Sequence, residues 1–274
     1  MNEFQSALDH VHTTLTGLRE QGVELRASAA ALARLAETPT VAKPVPEPVP
    51  SSSPASAPAP FSTPPGGSKA ERLAALRGPV LACTLCPHLV KSRTQVVFGV
   101  GNPGAELMFV GEAPGADEDR QGEPFVGKAG QLLTKIIGAM GFTRDDVYIG
   151  NVLKCRPDMP PGESGNRKPK PAEMATCLPY LRQQIDIIQP RALVALGATA
   201  MEGLLGAVEP MAKLRGRWHD FHGIPLMATY HPAYLLRNQS LTEKRKVWED
   251  MLLVLARLAK PITEKQRGFF LGKG

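Results

Sequence analysis

Residues 107–133 constrain the fold of this 274-residue chain more than any other stretch. A short apolar run, Leu107–Val110, gives way to a turn dense in glycine and proline, Gly111-Glu-Ala-Pro-Gly115, and a helical pattern follows from Lys128. Strand, glycine-rich turn and helix in that order set backbone N–H groups around a pocket at the strand's carboxyl end. The alternation continues downstream. Strands are predicted over 106–112, 147–152, 192–196 and 226–230, and helices over 70–77, 128–140, 172–188, 198–205 and 243–258. Short apolar strands alternating with helices imply a mostly parallel sheet covered on both faces. The predicted fold class is therefore α/β: a three-layer α/β/α sandwich with a central, mostly parallel four-stranded sheet. His219 and His222 fall on a predicted surface hairpin outside that frame.

Composition divides the chain into four parts. Over residues 1–37, Phe4, Leu8, Val11, Leu15, Leu18, Leu25, Ala29, Leu32 and Ala36 recur in steps of four and three, broken only at Gly22. That spacing reads as a helical amino-terminal extension, either a coiled coil or a helix docked on a partner or on its own domain. Residues 38–69 carry ten prolines between Pro39 and Pro65, which deny helix and sheet their N–H donors and leave a disordered tether. The globular domain spans 70–262, and 263–274 reads as a flexible tail. Within the tail, Gln266-Arg-Gly-Phe-Phe270 resembles the glutamine-plus-aromatic peptides that dock on sliding clamps. The expected state is a monomer unless the amino-terminal helix self-associates.

No apolar run reaches the roughly 18 residues of a membrane span, and no secretory signal is visible. The expectation is a cytoplasmic protein without a membrane partner. A net charge of +6 suits a polyanionic partner.

Four cysteines all fall in the globular domain, as Cys83-x-x-Cys86, Cys155 and Cys177. In a chain without a secretory signal this pattern favours a metal over disulfides. Spacing alone leaves zinc, a [4Fe-4S] cluster and unrelated buried thiols open, with Cys86-Pro87 leaning towards iron–sulfur.

The segment GEAPGADEDRQGEPFVGKAGQLL from Gly111, the four cysteines, Asn151–Cys155 and His231–Arg237 together resemble the family 4 uracil-DNA glycosylases over about residues 75–258. The resemblance implies the same sandwich, a structural [4Fe-4S] cluster on Cys83, Cys86, Cys155 and Cys177, and uracil-containing DNA as substrate. It also implies an activity: a deaminated base is flipped out of DNA and its N-glycosidic bond hydrolysed, leaving an abasic site.

Uracil would be bound by Gly111, Glu112, Ala113, Phe125, Asn151 and His231. Asn151 would read the Watson–Crick edge, since an oriented amide accepts from N3–H and donates to O4, whereas cytosine presents the opposite pattern. Phe125 would stack on the base, and His231 would stabilise charge on the departing O2. Tyr234, Leu235, Leu236 and Arg237 match a minor-groove loop, with a leucine as wedge and the arginine on phosphate. The loop 156–171 offers Arg167, Lys168 and Lys170 to the phosphate backbone.

Two departures stand out. Better-known uracil glycosylases carry a water-orienting aspartate where this chain has Ala113, and a thymine-blocking tyrosine where it has Gly115. Glu112 is then the carboxylate expected to act with His231, ahead of Asp117, Glu118 and Asp119. The competing reading is a non-catalytic iron–sulfur protein that binds DNA or senses redox state on the same fold.

Overall fold

A computed structural model describes residues 66–160, 162–163 and 165–272; the expected amino-terminal helix and almost all of the proline-rich linker lie outside the described residues. After Ser68 the order is α1 (Lys69–Leu81), α2 (Pro87–Ser92), β1 (Val100–Gly101), β2 (Leu107–Gly111), α3 (Ala116–Gln121), α4 (Lys128–Ala139), β3 (Tyr148–Asn151), α5 (Pro171–Ile188) and β4 (Ala192–Leu196). Then come α6 (Ala198–Leu205), α7 (Met211–Leu214), β5 (Trp218–Phe221), β6 (Ile224–Thr229), α8 (Pro232–Arg237), α9 (Leu241–Arg257) and α10 (Glu264–Arg267).

The sheet order is β1-β3-β2-β4-β6-β5. The four central strands, β3, β2, β4 and β6, run parallel to one another, as alternation with helices requires. The sheet has six strands rather than four, because β1 and β5 add antiparallel edges. Neither edge carries the apolar signature: β1 is two residues long, and β5 reads Trp-His-Asp-Phe with one buried residue. The predicted hairpin is real, with His219 on β5 and His222 at the turn in a left-handed conformation (φ 51°).

β2 and β4 are buried along their whole length, so their side chains alternate between two cores. Met108, Val110, Leu193 and Ala195 face α1, α5 and α6 through Leu76, Leu181 and Met201. Leu107, Phe109, Ala192 and Val194 face α4 and α9 through Leu133, Ile137, Met251 and Val254. This is the expected three-layer sandwich. Among the described residues no helix is long and apolar enough to cross a membrane.

The segment read as a flexible tail is docked as far as Phe269. Trp248 Nε1 donates to Gln266 O at 2.6 Å, and Gln266 Nε2 donates to Ala139 O at 2.9 Å. Arg245 donates to Arg267 O and Phe269 O, and the Phe269 ring lies 5.2 Å from that of Trp248. A polar strip hides this docking because its anchors are backbone carbonyls and a single aromatic ring. Gln266 and Phe269, the residues a clamp would require, are held by this domain, and of the large apolar residues described in this segment Phe270 and Leu271 stand exposed.

Candidate active site and thiol cavity

Strand order reverses around β2, and the carboxyl ends of β2, β3, β4 and β6 open on one rim, where α/β sheets bind ligands. Gly111 on β2 pairs with Asn151 on β3. A Cβ on Gly111 would stand 2.4 Å from Asn151 Oδ1 and 2.5 Å from Phe125 Cζ, so only glycine lets these side chains meet across it. The Phe125 ring in turn stacks against His231, centroids 5.6 Å apart and planes 30° from parallel. Gly111, Phe125, Asn151 and His231, spread over 121 positions of sequence, thus share one pocket. Asn151 is 2% exposed and its Oδ1 has no hydrogen-bond partner. Such an orphan acceptor costs about 1–3 kcal/mol unless a ligand N–H reaches it.

The Phe125 loop is held in a strained shape, with φ 55° at Phe125. The Glu118 carboxylate staples it to the first glycine turn, accepting from Gly115 N at 3.1 Å, Val126 N at 3.0 Å and Gly127 N at 2.9 Å. Arg144 donates to Pro124 O at 2.8 Å and to Phe125 O at 3.1 Å. Asp119 accepts from Thr94 N. Glu118 and Asp119 are therefore braces rather than water-positioning groups, and Arg144 carried no sequence signal at all.

His231 caps α8. Its Nδ1 accepts from Ala233 N at 3.1 Å, which leaves the ring proton on Nε2. Burial, reinforced by Arg237, lowers its pKa to about 4, so the imidazole is a neutral Nε2–H donor. Glu112 is half-buried, and burial raises its carboxyl above the ordinary value; a Thr199 hydrogen bond and Lys168 oppose that shift. Ala113 packs against the core on the cysteine side of the sheet.

On α8, Tyr234 stacks on Tyr230 at 4.5 Å and donates its hydroxyl to Glu243 at 3.1 Å. The two leucines separate: Leu235 is 4% exposed and belongs to the core, whereas Leu236 is 38% exposed. Of the two leucines offered as a wedge from sequence, Leu236 is the exposed one. Of the three cations that the loop 156–171 offered to phosphate, Arg167 is bound by Asp158 and Glu173, and Lys168 pairs with Glu202. These two pin the loop to the domain. Lys170 is exposed, with no carboxylate pairing its ammonium among the described residues.

All four cysteines are free of disulfides and line a single cavity. Cys83 and Cys86 come from the turn between α1 and α2, Cys155 from the loop after β3, and Cys177 from α5. Val80, Leu89 and Val96 supply apolar wall. Burial pushes the Cys86 thiol up to about 11 and Cys177 up to about 12. Thiols so disfavoured as anions are brought to the thiolate form by a bound cation. Two donors already aim at sulfur: Arg93 Nη1 to Cys155 Sγ at 3.0 Å, and Lys154 N to Cys177 Sγ at 3.2 Å. N–H donors on ligand sulfurs are how proteins tune thiolate-bound metal centres, and four converging sulfurs with that outer shell fit such a group.

The model of the uracil DNA glycosylase superfamily matches residues 98–252. The type-4 uracil-DNA glycosylase of Thermotoga maritima is 45% identical over 187 residues, covering 67% of this chain and 93% of that protein. Its counterpart in Archaeoglobus fulgidus is 40% identical over 173 residues, 60% of this chain and 83% of the relative. A type-5 uracil-DNA glycosylase of Pyrobaculum aerophilum is 31% identical over 210 residues, 65% and 88% of the respective chains. The matched region runs through all six strands and every residue of the pocket, and the chain belongs to the uracil-DNA glycosylase superfamily.

Proposed function

We propose that the pocket receives a uracil flipped out of DNA and that the protein is a monofunctional uracil-DNA glycosylase of the type-4 kind. Hydrolysis of the N-glycosidic bond leaves an abasic site, the opening step of base excision repair. The observation that carries this reading is the buried, partnerless Asn151 Oδ1 beside the Phe125 ring. An acceptor so placed matches the N3–H of uracil, while the amide N–H₂ meets O4. Cytosine would leave both pairs mismatched in a buried site, a large penalty.

Phe125 covers the face of the base. As the glycosidic bond breaks, negative charge grows on uracil and positive charge on the sugar. The neutral His231 donates its Nε2–H to uracil O2, a preorganised stabilisation that operates only as the anion forms. Glu112, its proton affinity raised by burial, accepts hydrogen from the attacking water and faces the sugar cation. Leu236 fills the vacated stack, and Arg237 and Lys170 hold phosphates. Cys83, Cys86, Cys155 and Cys177 hold a [4Fe-4S] cluster, which when bound cross-links α1, α2, α5 and the loop after β3. We place the protein in the cytoplasm, on DNA.

The test is single-turnover release of uracil from a labelled oligonucleotide, alongside Asn151→Asp, His231→Ala, and matched thymine and cytosine substrates, with iron and sulfide measured in each preparation. Release by the wild type, slowed about 10²–10³-fold in His231→Ala, is expected. An iron-loaded, DNA-binding preparation that releases nothing would instead support the non-catalytic reading.

A further inference from the structure

Lys154 is 1% exposed, yet among the described residues no carboxylate accepts from it. Its ammonium donates to two neutral oxygens, Asn151 O at 3.0 Å and Gln184 Oε1 at 2.5 Å. Gln184 is itself fully buried, and its Nε2 donates to Phe98 O at 2.9 Å and Tyr148 Oη at 3.0 Å. Removing an ammonium from water costs several kcal/mol, and a methionine would fill the same volume without that cost. A lysine so deeply buried at this place therefore calls for a use.

The backbone around it supplies one. The chain leaves β3 at Asn151, and the next two amides stay on β2: Val152 N donates to Gly111 O and Leu153 N to Glu112 O, each at 3.0 Å. The Asn151 carbonyl, on the other side of the same peptide from the Val152 N–H, points away from β2 and accepts from the Lys154 ammonium. The peptide after Asn151 is thus gripped from β2 on one side and by Lys154 on the other. Lys154 is itself clamped, its N–H donating to Cys177 Sγ at 3.2 Å and its carbonyl accepting from Val97 N at 2.8 Å. The Asn151 Oδ1 has no hydrogen-bond partner among the described residues, so the direction in which its backbone launches the side chain, together with packing beside Phe125 over Gly111, is what places the reading amide.

We infer that Lys154 is a positioning residue for uracil recognition, setting the Asn151 amide from below and tying that setting to the cysteine cavity through Cys177. The inference rests on Asn151 being the uracil reader; the grip on its backbone can be measured without turnover.

The experiment compares the full-length wild type with Lys154→Met, Asn151→Ala and the double variant, each prepared with its iron content measured. Lys154→Met is expected to keep iron and slow single-turnover uracil release at least tenfold, but to slow it less than twofold in the Asn151→Ala background. That non-additivity marks action through Asn151. Equal slowing in both backgrounds, a wild-type rate, or loss in proportion to lost iron would overturn the inference.

Two further readouts are independent of activity: hydrogen exchange at the Val152 amide, expected to accelerate at least tenfold in Lys154→Met, and the Asn151 side-chain amide resonances, expected to shift or broaden. Should Lys154→Met fail to fold, Lys154→Leu, which also removes the donor, serves in the same measurements. Unchanged exchange and resonances sink the positioning role whether or not the protein releases uracil. A wild type that releases no uracil while these readouts move sinks the glycosylase reading alone.

Discussion

Gly130→Ala would put a methyl group where the protein has backbone. Gly130 lies in the first turn of α4, and a Cβ there would stand 1.9 Å from Phe125 O and 2.0 Å from Phe125 C. That is about 1.5 Å inside ordinary contact, and the obstacle is a carbonyl already held by Arg144 rather than a side chain that can swing aside. Alanine favours helix over glycine by roughly 1 kcal/mol, whereas overpacking against a fixed neighbour costs about 1–3 kcal/mol or more.

Gly138, in the last turn of the same helix, is the control: a Cβ there meets nothing within 4 Å, so only the propensity gain remains. Thermal unfolding should therefore move in opposite directions. Gly138→Ala should rise by about 2–4 °C, and Gly130→Ala should fall by a similar amount or more. The relieving movement must carry Phe125 off its seat against Gly111 and His231. A displacement above about 1 Å at a positioning group costs on the order of 10²-fold in rate. Single-turnover uracil release should drop by that factor in Gly130→Ala, with affinity for DNA unchanged because Leu236 and Arg237 lie on α8. A Gly130→Ala protein as stable as Gly138→Ala, or one that releases uracil at the wild-type rate, would refute the assignment of Phe125.

The pKa of His231, lowered to about 4, has two consequences that NMR titration and unfolding can check. Uracil release should show no acid limb near pH 6.5 from this residue, and its ring should titrate near 4. Between those values the unfolded chain binds the proton more readily than the folded one, so this histidine lowers stability as pH falls through that window. His231→Asn should flatten that part of the stability profile, and a ring midpoint near 6.5 would refute the neutral-donor role. Deleting residues 1–67, which we propose act only as partner helix and tether, keeps Ser68 in place as the cap of α1 and should leave uracil release from naked DNA within about twofold, because a tether acts by effective concentration. A large loss of turnover would show that the extension belongs to the catalytic unit.

Much of the scaffold is legible because local chemistry repeats at fixed periods. Leu107–Val110 and Ala192–Leu196 are apolar on both faces, which only a doubly covered parallel strand tolerates. Leu133 and Ile137 on α4, and Val247, Met251 and Val254 on α9, fall on one helical face each. The glycine turn is legible in the same way, but the roles expected of Asn151, His231 and the four cysteines came from the resemblance to a known family, since the residues by themselves left a turn-capping asparagine and several uses of the thiols open.

Tertiary structure decided what each of these side chains does. Glu118 stood in sequence as one acid among several, yet it joins Gly115 to Val126 and Gly127. Arg144 reaches Phe125 from 19 positions away, and Gln266 reaches Ala139 from 127 away, with no periodic trace of either. Leu235 and Leu236 are neighbours of the same type, and the turn of α8 alone sends one to the core and the other to solvent. Arg167 and Lys168, offered to phosphate by composition, are bound to carboxylates brought near by α5 and α6. Periodicity is a property of neighbouring residues and survives in the sequence. The partner of a charge, the orphaning of Asn151 Oδ1 and the grip of Lys154 depend on which distant segments meet, and only the packed chain determines that.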